Sequence, residues 1–174
     1  MIDVIKTLIL VLVPTGAVVM TVYMLMKRYF DNQQQTLLAQ QLSMQRSDAV
    51  QIKLQAYERL ILFMERIDLT QLLLRLRTNS MSNLALYNAL MVAVQKEFEH
   101  NQVQQLYVSD SLWEIVKTAK DNVLSTIINQ YEIVNPNDNS ETLASALLTN
   151  YSIGAHKSIN TAISAIKKET RLLL

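Results

Sequence analysis

From Ala17 to Asn135 the chain contains neither glycine nor proline. Tight turns lean on those two residues, one for positive φ and one for a fixed φ, and both punctuate helices. A β protein of this length needs many such turns. The run therefore predicts an all-α fold: long helices, short connections and antiparallel neighbours in a helical bundle. Breaks are confined to the flanks, at Pro14, Gly16, Pro136 and Gly154.

The 174 residues are enough for one domain and an anchor, and half of them are apolar, so a sizeable core can be buried. With 16 basic and 15 acidic residues the chain lacks the basic excess of a nucleic-acid binder. Cysteine is absent, which excludes disulfides, thiolate ligands, a cysteine nucleophile and cysteine lipidation, and fits a reducing compartment.

Thr7 to Met26, TLILVLVPTGAVVMTVYMLM, is uncharged over twenty residues. As a helix it is roughly 30 Å long, the thickness of a bilayer's hydrocarbon core. It is expected to be a transmembrane helix. Lys6 flanks one end and Lys27 and Arg28 the other, with Tyr23, Tyr29 and Phe30 at headgroup level. The run ends in Tyr-Met-Leu-Met-Lys-Arg, a poor site for signal-peptide cleavage. Pro14 would kink the span, with Thr15 and Thr21 available to the freed carbonyl. The basic residues Lys27, Arg28 and Arg46, against Lys6 alone, place the C-terminal part in the cytoplasm. The expected organisation is an anchor with its flanks over 1–30 and a cytoplasmic helical domain over 31–174. Residues 31–67 form its stalk or first long helix, and 68–174 the remaining bundle helices.

Along the stalk, Leu38, Leu42, Ala49, Ile52, Ala56, Leu60, Phe63 and Ile67 recur near a helical period. Asp68 to Gln71 has the form of a capping box, opening a short helix over 69–77. Thr78 to Asn83 is a turn. A helix over 82–100 follows, with Leu84, Tyr87, Met91, Val94 and Phe98 as its packing stripe. Gln102 to Val108 is open between a loop and a helical turn. Ser109, Asp110 and Ser111 are N-cap candidates for a helix to Val134 through Leu112, Val116, Ala119, Val123, Ile127 and Gln130. Asn135 to Ser140 is a loop. The remainder is helical, with Gly154 marking a break or a close contact.

Glu97 and His100 form a Glu-x-x-His pair, which in bundles is half of a carboxylate-bridged two-metal site. The other half needs a second such pair, and the only other histidine, His156, has Ile153 three residues before it. Zinc needs about four ligands, and cysteine cannot supply them. No cofactor is expected, and His100 reads as a cation in the last turn of its helix. Arg75 and Arg77, and Lys167, Lys168 and Arg171, read the same way. No glycine-rich phosphate loop or nucleophile elbow is present. Trp113 reads as an interhelical anchor. Gln102, Gln104 and Gln105 form either a partner contact or an internal joint, and their burial distinguishes the two.

The segments AYERLILFMERIDLTQLLLR (Ala56 to Arg75) and EFEHNQVQQLYVSD (Glu97 to Asp110), with the N-terminal span, resemble an uncharacterised family of single-pass helical membrane proteins from Bacteroidota-type bacteria. The resemblance covers most of the chain. It implies a bacterial inner-membrane setting and brings no activity and no site residues. The expectation is a membrane-anchored, non-catalytic interaction or scaffold protein. Its expected partners are membrane lipid and a protein or a second copy of itself, with no nucleic acid and no small-molecule substrate. The alternatives are a membrane-bound carboxylate/histidine metalloenzyme and a signal-relaying transmembrane stalk.

Overall fold

A computed structural model describes the backbone of residues 2–151 and 154–173, and the side chains of residues 16, 19–34, 36, 48–151 and 154–173. The described residues are all-helical. The elements are α1 (Ile2–Arg66), α2 (Leu69–Leu76), α3 (Asn83–Asn101), a 3-10 turn (Gln102–Leu106), α4 (Asp110–Tyr131), α5 (Ser140–Tyr151) and α6 (Ala155–Arg171). The chain separates into two compact units, Met1–Ala49 and Val50–Leu174.

The first unit consists of α1 alone. Its described apolar side chains, Val19, Met20, Val22, Tyr23, Met24, Leu25, Met26, Tyr29 and Phe30, are all exposed. Among the described residues no helix is long and apolar enough to cross a membrane. This corrects the placement of the chain as a single-pass protein of the bacterial inner membrane with a cytoplasmic C-terminal domain. The described apolar stretch from Val19 to Met26 is followed by Lys27 and Arg28. Lys6, Thr7 to Thr15 (Pro14 included), Ala17 and Val18 lie outside the residues whose side chains are described, as do Leu38 and Leu42.

The second unit holds the described core. The last turns of α1 bury Ala56, Tyr57, Leu60, Phe63 and Met64, with Ile67 just beyond the helix end, on the three- and four-residue steps of one helix face. Ala49 and Ile52, earlier on the same expected stripe, are exposed. On α4, Leu112, Val116, Ala119, Val123 and Ile127 are buried, as their spacing predicts, with Trp113 beside them. On α6 the buried column is Ala155, Ile159, Ala162 and Ile166. Trp113 is stacked on Phe98, ring centroids 5.7 Å apart, and Phe98 lies 6.0 Å from Phe63. An aromatic row thus joins α1, α3 and α4.

The stripe expected on α3 is turned. Leu84 is exposed, Tyr87, Met91 and Phe98 are half-buried, and the fully buried column is Asn83, Leu86, Leu90 and Val94. The cause is Asn83, a polar residue that leads the core face because all its hydrogen-bonding groups are used. Its Nδ2 donates to the Asn135 carbonyl at 2.7 Å and to Thr142 Oγ1 at 2.8 Å. Its Oδ1 accepts from the Leu143 backbone N–H at 3.2 Å. Its own N–H donates to the Asp138 carbonyl at 2.9 Å. One side chain therefore pins the Asn135–Ser140 loop and the start of α5 onto the start of α3. The isolated bridge between Ser82 and Asn139 lies at the same joint.

Glu169 makes a second joint. Its Oε1 accepts from Tyr57 Oη and from the Ser109 backbone N–H, both at 2.9 Å, and its Oε2 accepts from Ser109 Oγ at 2.5 Å. Ser109 is the N-cap of α4, its Oγ accepting from the Leu112 N–H at 3.2 Å. The carboxylate thus ties α6 to α1 and to the start of α4. Partial burial pushes its carboxyl up, but the Ser109 hydroxyl and N–H, the Tyr57 hydroxyl and Lys53 outweigh this and hold it below 4.5. Tyr57 moves the other way, raised from 10.0 to about 12 by burial and by the adjacent Glu169.

Candidate functional site

A groove of about 940 Å³ opens in the second unit. The end of α1 supplies Leu62, Glu65 and Arg66, and α2 supplies Thr70, Gln71, Leu74 and Arg75, with Asp68 at its N-cap. α6 supplies His156, Ile159, Asn160 and Ile163, and Tyr151 comes from the end of α5. α2 presents this wall because its core face is already taken. Leu69, Leu72 and Leu73 are buried, so helical rotation carries Leu74 out of the core, 78% exposed. Leu62 is likewise 52% exposed between the buried Leu60 and Phe63 of α1. Two large apolar side chains therefore project beside the exposed polar side chains of Gln71, His156 and Asn160.

The polar groups along the groove are ordered by hydrogen bonds. Asp68 Oδ1 accepts from the Thr70 and Gln71 backbone N–H groups at 2.9 and 3.3 Å, capping α2. The Asn160 amide nitrogen can only donate, so His156 Nε2, 2.9 Å away, accepts. The neutral ring then carries its proton on Nδ1, which faces Asp68 Oδ2 at 3.9 Å. That is ion-pair range for a charged ring and too long for a hydrogen bond. The His156 ring lies against Tyr151, centroids 5.0 Å apart. The Tyr151 hydroxyl is buried and has no hydrogen-bond partner among the described residues. Arg75 Nη2 reaches the Arg66 carbonyl at 3.4 Å, so the expected cation in the last turn of α2 lies over the end of α1.

A smaller cleft of about 510 Å³ shares Leu62 and Arg66 with the groove and adds Arg59, Phe63, Glu97, His100 and Asn101. Glu97 and His100 are both here, His100 in the last turn of α3 as expected. Glu97 is paired with Arg66, its two oxygens 3.3 and 3.4 Å from Nη1. A guanidinium at that distance repels any cation the carboxylate could hold. Among the described residues no three His, Asp or Glu side chains are grouped to hold a metal ion.

The amide-rich corner is divided. Gln104 is buried, while Gln102 and Gln105 are exposed beside Val103 and Leu106. Tyr23, Lys27, Arg28, Tyr29 and Phe30 lie on the exposed surface of α1, in the other unit. Sequence reasoning missed Leu62, Leu74, His156 and Asn160 as groove residues. For Leu74 a signal was available, because only part of the leucine run Leu72-Leu73-Leu74 can face one core. For the α6 pair the signal was the four-residue spacing of His156 and Asn160. Their position opposite Asp68 is tertiary and has no local trace.

A family of unknown function (DUF7935) matches residues 3–173, nearly the whole chain. The chain belongs to that family. No curated relative and no solved structure matches it.

Proposed function

We propose that the protein is a non-catalytic helical interaction protein, and that the groove between the end of α1, α2 and α6 receives an amphipathic helix of a partner protein. The observation that carries this reading is the exposure of Leu62 and Leu74, 52% and 78%, on the rim of an open groove. Helix-in-groove recognition uses such apolar projections, with polar groups beside them to fix register. The exposed Gln71, Asn160 and His156 supply those groups. The groups a hydrolytic site would use are engaged structurally. Asp68 caps α2, His156 Nε2 accepts from Asn160, and Ser82 and Ser109 cap α3 and α4.

The test is affinity capture with the full chain, comparing wild type with Leu74→Asp and with Leu148→Asp, a charge placed at an exposed leucine away from the groove. A partner that is lost with Leu74→Asp, kept with Leu148→Asp and bound directly when purified supports the reading. Equal recovery by both variants overturns it, as does wild-type protein that retains no partner.

A further inference from the structure

His156, in the first turn of α6, lines the groove between two polar partners with different demands. The Asn160 amide nitrogen is 2.9 Å from its Nε2, and Asp68 Oδ2 is 3.9 Å from its Nδ1. The neutral ring suits Asn160, because Nε2 then offers a lone pair to a donor. The protonated ring suits Asp68, because both nitrogens then donate and the charge lies within ion-pair range of a carboxylate. It no longer suits Asn160, where an N–H would face an N–H. The Asn160 amide has no second side-chain partner among the described residues, so nothing else fixes which way it points. Half a turn brings its Oδ1 to Nε2 and leaves its NH2 free instead.

We infer that His156 is a proton-operated switch in the groove: neutral, it holds Asn160 by its donor end, and charged, it pairs with Asp68 and reverses the Asn160 amide. The other ionisable groups on the groove are Glu65 and Arg66 from α1, Arg75 from α2 and Tyr151 from α5, with Lys157 next to the histidine on α6. Arg66 is held by Glu97, and Arg75 by the Arg66 carbonyl. The Tyr151 ring backs the imidazole, centroids 5.0 Å apart. Of the two groove carboxylates, Asp68 is the one within ion-pair range of the ring. Histidine is the side chain that changes charge between about pH 5 and 8, so the donors and acceptors the groove presents change over that range. The consequence for a partner helix rests on the groove reading, whereas the switch itself belongs to the free chain.

The test follows amide resonances of the isotope-labelled full chain from about pH 8 to about pH 5, with no partner present. In wild type the Asn160 side-chain amide should move along one titration curve with the His156 ring. The Thr70 and Gln71 N–H groups, which donate to Asp68, should move with them. The Asn122 side-chain amide, bonded to Ser158 Oγ, should stay still. In His156→Gln the responses of Asn160, Thr70 and Gln71 should be lost, although His100 is still present in the adjoining cleft. Asp68→Asn keeps a capping side chain and removes the charge, so Thr70 and Gln71 should stop responding while Asn160 still does. A ring that titrates while the Asn160 amide stays still overturns the inference, as does an equal Asn160 response in His156→Gln. Thr70 and Gln71 responses that survive Asp68→Asn overturn the ion pair. A chain that switches as described but captures no partner overturns the groove reading alone.

Discussion

Glu169 draws three long-range hydrogen bonds together in the second unit. Its partners, Tyr57 and Ser109, lie far from it in sequence and on different elements. Because its folded carboxyl is held below 4.5, the stabilisation it provides is present above the unfolded-state value and is lost as the pH falls through the folded one. Tyr57 behaves oppositely. With its folded value raised to about 12, its contribution is present below about 10 and is lost as the pH rises through about 12. Glu169→Gln keeps the shape but turns an amide toward groups that were donating to a carboxylate. It should cost about 1–3 kcal/mol at neutral pH, a melting temperature lower by roughly 3–10 °C. It should also flatten the loss of stability between neutral and acidic pH. Thermal melts of both proteins across pH 3–8 check this, and parallel curves would show that the carboxylate does not carry the acid limb. Neither residue could have been singled out from the sequence. Glu169 reads there as one more charge in KKETR, and nothing local says that Ser109 and Tyr57 converge on it.

At the scale of elements the sequence was most informative where local chemistry decides. The end of α1 beside Asp68, the start of α4 at Ser109 and the break at Gly154 all follow from capping and breaking residues that act within one turn. Which face a helix buries was legible on α4, where apolar residues alone form the column. It was not legible on α3, where the column begins with a satisfied asparagine that hydropathy counts as solvent-facing. α2 is the element most dependent on its cap. With eight residues it has few intrahelical bonds to spare, and Asp68 satisfies two of its free N–H groups. Asp68→Ala should therefore cost about 1 kcal/mol or a little more. Hydrogen exchange should register the change locally, as faster exchange at Thr70 and Gln71 with α4 unaffected. Loss distributed evenly over the unit would mean that Asp68 acts through its proximity to His156 rather than as a cap.

At the scale of the whole molecule the two units differ in what holds them. Every described core residue, from Ala56 to Ile166, belongs to the second unit, as do both polar joints, at Asn83 and at Glu169. The described side chains of the first unit are exposed. The all-α class was legible from the absence of breakers. The membrane assignment rested on Thr7 to Met26 as one uncharged run, whereas among the described residues no helix is long and apolar enough to cross a membrane. Cooperative unfolding reports the burial of a shared core, so the second unit should carry the transition. A chain beginning at Val50 retains all the described buried residues and should melt cooperatively within about 3 °C of the full-length protein, since deleting exposed residues costs a fraction of a kcal/mol per site. Calorimetry on the two proteins measures this. A truncated chain that melts without cooperativity would place part of the core's support before Val50.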